Sequence, residues 1–338
     1  MFKYLDRPMI PKPCYRLCRV NSAVFLCLLA AFGAAAAQQV RLPFLDLQPY
    51  EGNPILRPRG TTWEAAAACN PAAVVKDTTV YLFYQAKDRS GAGRWNGTSR
   101  IGLATSVDGL HFAREPEPVI TPTYDFESPG GCADPAVAEI DGVYYLTYNA
   151  FDGVNRRVAL ASSRDLRQWI KHGLVFPEEG ETCHGVIVPQ KSNGRYLMYF
   201  SDGKNVRLAY SENLLVWQAE AGPVMLPRDG KFDDDAVVPA FSPLVSGSEL
   251  VLFYNGLDQA RRSHPGQVVL ALQHPGQVLQ RSERPYLSLS ARPENEPAIR
   301  LSGLVRFKEE YFLYYGMNEE TAGVAVSREL AAAMRAQK

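Results

Sequence analysis

The chain has 338 residues, 46% of them apolar and 21% charged, an ordinary globular composition, and it is long enough for one large domain or two smaller ones. Its 36 Lys plus Arg match its 36 Asp plus Glu, so there is no electrostatic footprint for nucleic acid or an anionic membrane surface. With 24 Pro, 26 Gly and 11% aromatic residues, turns and strands are favoured over helices.

The N-terminus reads as an export signal over residues 1–37. Lys3, Arg7, Lys12, Arg16 and Arg19 make a basic segment, and an apolar run follows from Ala23 to Ala37. That run ends in Ala35-Ala36-Ala37 before Gln38, the small-x-small pattern at which a leader is cleaved. It is shorter than the ~20 residues needed to span a bilayer. The mature protein is therefore expected in the periplasm or the medium, with no membrane span. Cys14, Cys18 and Cys27 leave with the leader, and Cys69, Cys132 and Cys183 remain.

From there the chain repeats itself. The first unit has apolar stretches at Pro71 to Val75, Val80 to Tyr84, Ile101 to Ala104 and Val119 to Pro122. The second has Pro135 to Ile140, Val143 to Tyr148, Val158 to Ala161 and Leu174 to Pro177. The third has Gly185 to Pro189, Arg195 to Phe200, Val206 to Ala209 and Val224 to Pro227. The fourth has Ala236 to Ala240, Leu250 to Tyr254, Val268 to Ala271 and Tyr286 to Ser288. The fifth has Leu301 to Phe307, Tyr311 to Tyr315 and Gly323 to Val326, and lacks a fourth stretch. The runs are short and rich in aromatic and β-branched residues, and turns such as Asp141-Gly142 and Asn193-Gly194 precede the second ones, which reads as antiparallel hairpins. Four strands repeated at intervals of roughly fifty to sixty residues predict an all-β, five-bladed β-propeller. Asn53 to Pro58 matches the missing fourth strand, so the N-terminal strand is expected to complete the last blade and close the ring. The propeller spans 38–330, and 331–338 is a tail.

In a propeller the first strand of each blade lines the central channel, and residues at its start surround one mouth. Those positions hold Trp63, Glu64, Cys69 and Asn70; Glu127, Cys132 and Asp134; Cys183 and His184; Asp233, Asp234 and Asp235; and Glu294, Glu296 and Arg300. This reads as a ring of carboxylates with few cations. Carboxylates transfer protons and accept sugar hydroxyls, and aromatic faces stack on sugar rings. Some of these acids can equally cap strands or bind turn amides. The three Cys at similar places can be small buried residues, a bridge between Cys132 and Cys183, or, with His184, a metal site. The first of these is preferred, and no metal or cofactor is expected.

Several motifs carry a resemblance. The first unit has Cys69-Asn70-Pro71-Ala72-Ala73-Val74 and then Ser99-Arg100-Ile101-Gly102-Leu103-Ala104-Thr105-Ser106-Val107-Asp108-Gly109. The second has Gly131-Cys132-Ala133-Asp134-Pro135-Ala136. Over almost the whole mature chain the sequence resembles glycoside hydrolase family 130, the mannoside phosphorylases and β-mannosidases. The resemblance implies that Asp134 is the general acid, in this family often acting through a sugar hydroxyl. It departs from the family pattern at Ala133 and Ala136, and Phe200-Ser201-Asp202 stands where the phosphorylases have a His-Arg pair for phosphate. Losing such guanidinium contacts disfavours phosphorolysis.

The expected activity is therefore inverting hydrolysis of a small glycan, with Asp134 as acid and a second carboxylate as base, ~6.5–9.5 Å away. Asp234 and Glu127 are the catalytic candidates for that base, with Asp233 and Asp235 beside them. Asn70, Arg100 and His184 would hold sugar hydroxyls, with Glu64, Asp233 and Asp235 at the rim, and Trp63 or Trp95 would supply a stacking face. A glycan-binding propeller without catalysis and a phosphorylase are the alternatives.

Overall fold

A computed structural model describes residues 41–92, 95–289 and 297–328. The expected leader, Glu294, Glu296 and the 331–338 tail lie outside them, and so does the side chain of Trp95. Among the described residues the protein is all-β, with a single-turn 3-10 helix at Asp125–Glu127. No helix there is long and apolar enough to cross a membrane.

The strands fall into antiparallel groups that follow the repeat. Ala67–Lys76, Thr79–Lys87, Ser99–Ser106 and Ala113–Arg114 form the first. Gly131–Ile140, Val143–Phe151, Arg156–Ser163 and Ile170–Leu174 form the second, joined to the first by one parallel pair, Ser99 with Gly131. Cys183–Ile187, Tyr196–Ser201, Val206–Ser211 and Gln218–Ala219 form the third. Ala236–Pro239, Glu249–Leu257, Ser263–Ala271 and Val278–Arg281 form the fourth, to which Leu244–Ser246 adds a short edge. Ile299–Phe307, Glu310–Met317 and Thr321–Ser327 form the fifth.

The fourth strands differ in position from the expected runs. They lie earlier in the chain, and the expected residues Ile120 and Met225 instead make single bridges to Ile101 and Val206. Proline-rich segments such as Val119-Ile120-Thr121-Pro122 cannot sustain a ladder, because proline donates no hydrogen bond. The N-terminal segment repeats this pattern. Leu47–Pro49 pairs with Thr321–Ser327, and Leu56 bridges Ala322.

Successive side chains of a strand point to opposite faces, and here both faces are covered. Val80, Leu82, Tyr84 and Ala86 pack with Phe312, Tyr314 and Val324 of the fifth group. Phe83 points the other way and packs with Leu146 and Tyr148 of the second. Comparable clusters join the second group to the third around Leu160 and Met198, the third to the fourth around Tyr199 and Leu252, and the fourth to the fifth around Phe253 and Leu313. Double-sided burial accounts for apolar side chains on both faces of these runs. Each fully buried Leu or Phe contributes about 1.5–3 kcal/mol relative to exposure.

Candidate active site

Three first strands break register at the same place. The ladder jumps from Cys69 to Ala72, from Ala133 to Ala136 and from Cys183 to Val186. Inside each bulge a non-glycine residue adopts positive φ: Asn70 at 49°, Asp134 at 47° and His184 at 52°. Such a conformation costs of order 1–3 kcal/mol and needs surrounding contacts to impose it, while the bulge re-aims the side chain. The contacts come from the residue after the strand tyrosine of the preceding group. Gln85 Oε1 accepts from Asp134 N at 3.3 Å, and Asn149 Oδ1 accepts from His184 N at 2.8 Å. Gly316 occupies the matching position beside Asn70, where a Cβ would come within 2.0 Å of Asn70 Oδ1.

The three side chains meet in a cavity of about 370 Å³. Asn70 Nδ2 donates to Asp134 Oδ1 at 2.8 Å, and Asn149 Nδ2 donates to Asp134 Oδ2 at 2.9 Å. His184 Nε2 lies 3.9 Å from Asp134 Oδ2. Arg300 reaches in from the fifth group, with Nη1 3.3 Å from His184 Nε2 and Nη2 donating to Glu319 Oε1 at 3.2 Å. A guanidinium only donates, so Nε2 must accept, and His184 is neutral with its proton on Nδ1. Burial lowers the His184 pKa to about 4, with Arg300 and Arg156 adding to the effect against the pull of Asp134. For Asp134, burial pushes upward, but the charge of His184 when protonated, the Arg300 and Arg156 guanidinium groups and the Asn149 hydrogen bond outweigh it and hold the carboxyl below its usual range.

The cavity corrects the expected charge pattern. Lys87, Arg156, Arg261 and Arg300 line it together with Asp134, Glu181 and Glu319, so cations are as prominent as acids. Cations on second and third strands were not counted by looking at first strands alone. Glu319 is paired with Arg300, whereas Glu181 is exposed and makes no hydrogen bond or ion pair among the described residues. The Glu181 carboxyl lies beside Gly203, 3.6 Å from where a Cβ would sit.

Three expected site acids lie elsewhere, in closed polar clusters. Glu127 is fully buried, takes the Tyr148 hydroxyl at 2.6 Å and Lys171 Nζ at 2.7 Å, and also accepts from Thr123 and Tyr124 N–H. Burial pushes its pKa up, and these donors, led by Lys171, bring it below the usual value. Asp233 is held in the same way by Tyr254, Arg228 and Arg281, and Glu64 by Tyr84, Arg114 and Arg59. With every oxygen engaged, none of the three is free to activate water or hold a sugar. Asp235 pairs with Arg261 at 2.7 Å, and Asp234 does not line the Asp134 cavity. Trp63 and Arg100 line a different groove.

Of the expected residues, Asp134, Asn70 and His184 are brought together. Cys69, Cys132 and Cys183 are buried and free, and burial pushes the Cys183 thiol up to about 12. No cluster of three or more His, Cys, Asp or Glu suited to a metal occurs among the described residues. Gln85, Asn149, Glu181 and Arg156 were missed. The signal for the first two was available, since a polar amide follows the strand tyrosine in both groups.

An all-β protein with a half-buried Asp, two amides, a neutral His and a guanidinium in one concave site has the equipment of a carbohydrate-active enzyme. The chain belongs to glycoside hydrolase family 130: the family described as beta-1,4-mannooligosaccharide phosphorylase matches residues 39–335. A 1,2-beta-oligomannan phosphorylase of Thermoanaerobacter sp. (strain X514) is 28% identical over 291 residues, covering 83% of this chain and 97% of that protein. The solved structure of a glycosyl hydrolase from Bacteroides ovatus superposes with a TM-score of 0.78 at 29% identity, covering 84% of this chain and 94% of that one. A further structure has the same score, identity and coverage. It comes from work on glycoside hydrolases, within this family of mannoside phosphorylases, that target β-1,2 mannosidic linkages in Candida mannan.

Proposed function

We infer that the protein is an exported five-bladed propeller that hydrolyses β-linked, and specifically β-1,2-linked, mannosides with inversion. The observation carrying this reading is the pair of carboxylates in one cavity. Asp134 is fixed by Asn70 and Asn149, and Glu181 is unpaired. Asp134 acts as the acid, directly or through a sugar hydroxyl, and Glu181 takes the proton of the attacking water in place of the expected Asp234 or Glu127. Sugar binding covers the cavity, and the added desolvation favours the protonated form of Asp134. His184, with Nδ1–H, and Asn70 hold hydroxyls.

Hydrolysis is preferred to phosphorolysis because Ser201 and Asp202 supply no cation where the resemblance places a phosphate-binding His-Arg pair. Ser201 Oγ donates to Val237 O, and Asp202 accepts from Asn205. Arg261 and Arg300 are each paired with a carboxylate, Asp235 and Glu319. The second reading, phosphorolysis, is favoured by the cations Lys87 and Arg156 in the same cavity and by the relative from Thermoanaerobacter.

The propeller reading draws support from the clusters joining each group to the next and the fifth to the first. The export reading draws support from the basic segment followed by the apolar run to Ala37. Incubating the protein with β-1,2-mannobiose, with and without inorganic phosphate, separates the two activities. Hydrolysis yields mannose at equal rates in both, with Asp134→Asn and Glu181→Gln each at least ~10²-fold slower. Mannose 1-phosphate formed only with phosphate would transfer the assignment to phosphorolysis.

A further inference from the structure

Trp63 and Arg100 line an open groove of about 610 Å³, together with Thr62, Asp88, Ser90 and Glu117. The groove is separate from the Asp134 cavity but shares a wall with it. Lys87 and Ser99 face each other across the first group's second and third strands and belong to the cavity, while their neighbours Asp88 and Arg100 belong to the groove. Adjacent residues of an extended chain point to opposite sides, so one hairpin divides the two spaces.

The groove is assembled from fixed parts. Trp63 Nε1 donates to Pro116 O at 3.2 Å, and the indole stacks on Tyr84 with ring centres 6.1 Å apart and planes 26° apart. Arg100 Nη1 donates to Asp88 Oδ2 at 2.8 Å, while Asp88 Oδ1 accepts from Ser90 N and Thr98 N, both at 2.9 Å. Groups already held in place lose little freedom when a ligand arrives. A pyranose has a flat C–H face that matches an indole and vicinal hydroxyls that need donor and acceptor side by side, which a guanidinium–carboxylate pair provides.

We propose that the groove is a second hexose-binding site, taking the part of a longer oligosaccharide that lies beyond the hairpin from the bond at Asp134. The inference rests on the carbohydrate reading of the Asp134 cavity. A disaccharide that fills the cavity does not reach the groove, whereas a longer chain gains affinity from it, so the site sets chain-length preference.

The test compares kcat/KM for β-1,2-mannotetraose and β-1,2-mannobiose in wild type, Trp63→Ala and Thr62→Arg. Thr62 is exposed, so Thr62→Arg obstructs the groove without touching the core and decides the matter where Trp63→Ala fails to fold. The tetraose-to-biose ratio is expected to fall about tenfold in both, the loss of roughly 1.4 kcal/mol; a ratio equal to the wild type's in Thr62→Arg overturns the proposal. A second arm does not depend on turnover. In Asp134→Asn, the Trp63 indole NMR signal, assigned by its loss in Trp63→Phe, is expected to shift on adding tetraose. An unmoved signal at saturating tetraose overturns the proposal, whereas absent turnover with a shifted signal overturns only the hydrolytic reading.

Discussion

At the scale of the residue, Asp134, the proposed acid, has the electrostatics of an ionised carboxylate. Arg300 contributes to this, since it holds His184 neutral and helps keep the Asp134 carboxyl low. If the protonated form of Asp134 is the working form, kcat/KM falls roughly tenfold per pH unit once the pH exceeds its pKa. Arg300→Met removes a cation, which raises the Asp134 pKa and leaves more acid at a given pH. The alkaline limb of the kcat/KM profile is therefore expected to move to higher pH, measured between about pH 4 and 8. A limb that stays put would remove Arg300 from control of Asp134. His184 adds a second feature: below about pH 4 it gains a proton and can no longer accept from Arg300.

Asp134, Asn70 and His184 were legible in the sequence because each sits at the start of a first strand, and Asn70 and Asp134 also lie in recognisable motifs. Glu127 and Asp233 also lie just before first strands, yet the difference between a free and a caged carboxylate depends on cations contributed from elsewhere in the group. Lys171 lies 44 residues beyond Glu127, and Arg281 lies 48 beyond Asp233. Nothing local to either acid announces the partner.

At the scale of the element, these cages are a repeated device. Glu64, Glu127 and Asp233 precede their strand tyrosines by 20, 21 and 21 residues, and a cation on the fourth strand completes each. Each cage ties the segment entering a group to the group's outer strand. The third group has Phe200 at the tyrosine position, and Glu179, 21 residues before it, pairs instead with Arg207 of the third strand at 2.9 Å. Removing one partner of a buried pair leaves an uncompensated charge, so Lys171→Met is expected to cost about 3–5 kcal/mol, read as a lower urea midpoint. Because the folded Glu127 pKa is lowered, its contribution is present above the usual carboxylate range and is lost as the pH falls through the folded value. The wild-type advantage over Lys171→Met should therefore shrink on acidification, and a pH-independent difference would contradict the cage. A second repeated element caps the turn after the third strand. Asp108 Oδ1 accepts from Leu110 and His111 N–H, Asp165 Oδ1 from Arg167 and Gln168 N–H, and Asn213 Oδ1 from Leu215 and Val216 N–H. Its sequence, Ser-x-Asp or Ser-x-Asn, is short because the bonds are local.

At the scale of the whole molecule, the repeat made the architecture readable, and the strand ends were the part that shifted. Period and order come from apolar runs buried on both faces. The fourth strands lie at the outer edge with few buried contacts, so composition marks them poorly. The N-terminal segment is the exception, since Leu47 is 6% and Leu56 2% exposed and both pair with the last strand. Leu56→Ala is expected to destabilise by about 2–5 kcal/mol, measured by urea unfolding. A change under about 0.5 kcal/mol would mean the segment is not integral to the core.

The central claim is that Asp134 and Glu181 act as acid and base on opposite faces of a β-mannoside, with water as the nucleophile. Proton NMR of β-1,2-mannobiose turnover in phosphate-free buffer tests it most directly, because it shows the anomer formed before mutarotation. The account predicts that the mannose from the non-reducing end is released as the α anomer, seen as an early excess of α-mannose over the anomeric mixture contributed by the reducing-end residue, and absent with Asp134→Asn and with Glu181→Gln. An early excess of β-mannose, or no turnover until phosphate is added, would contradict it.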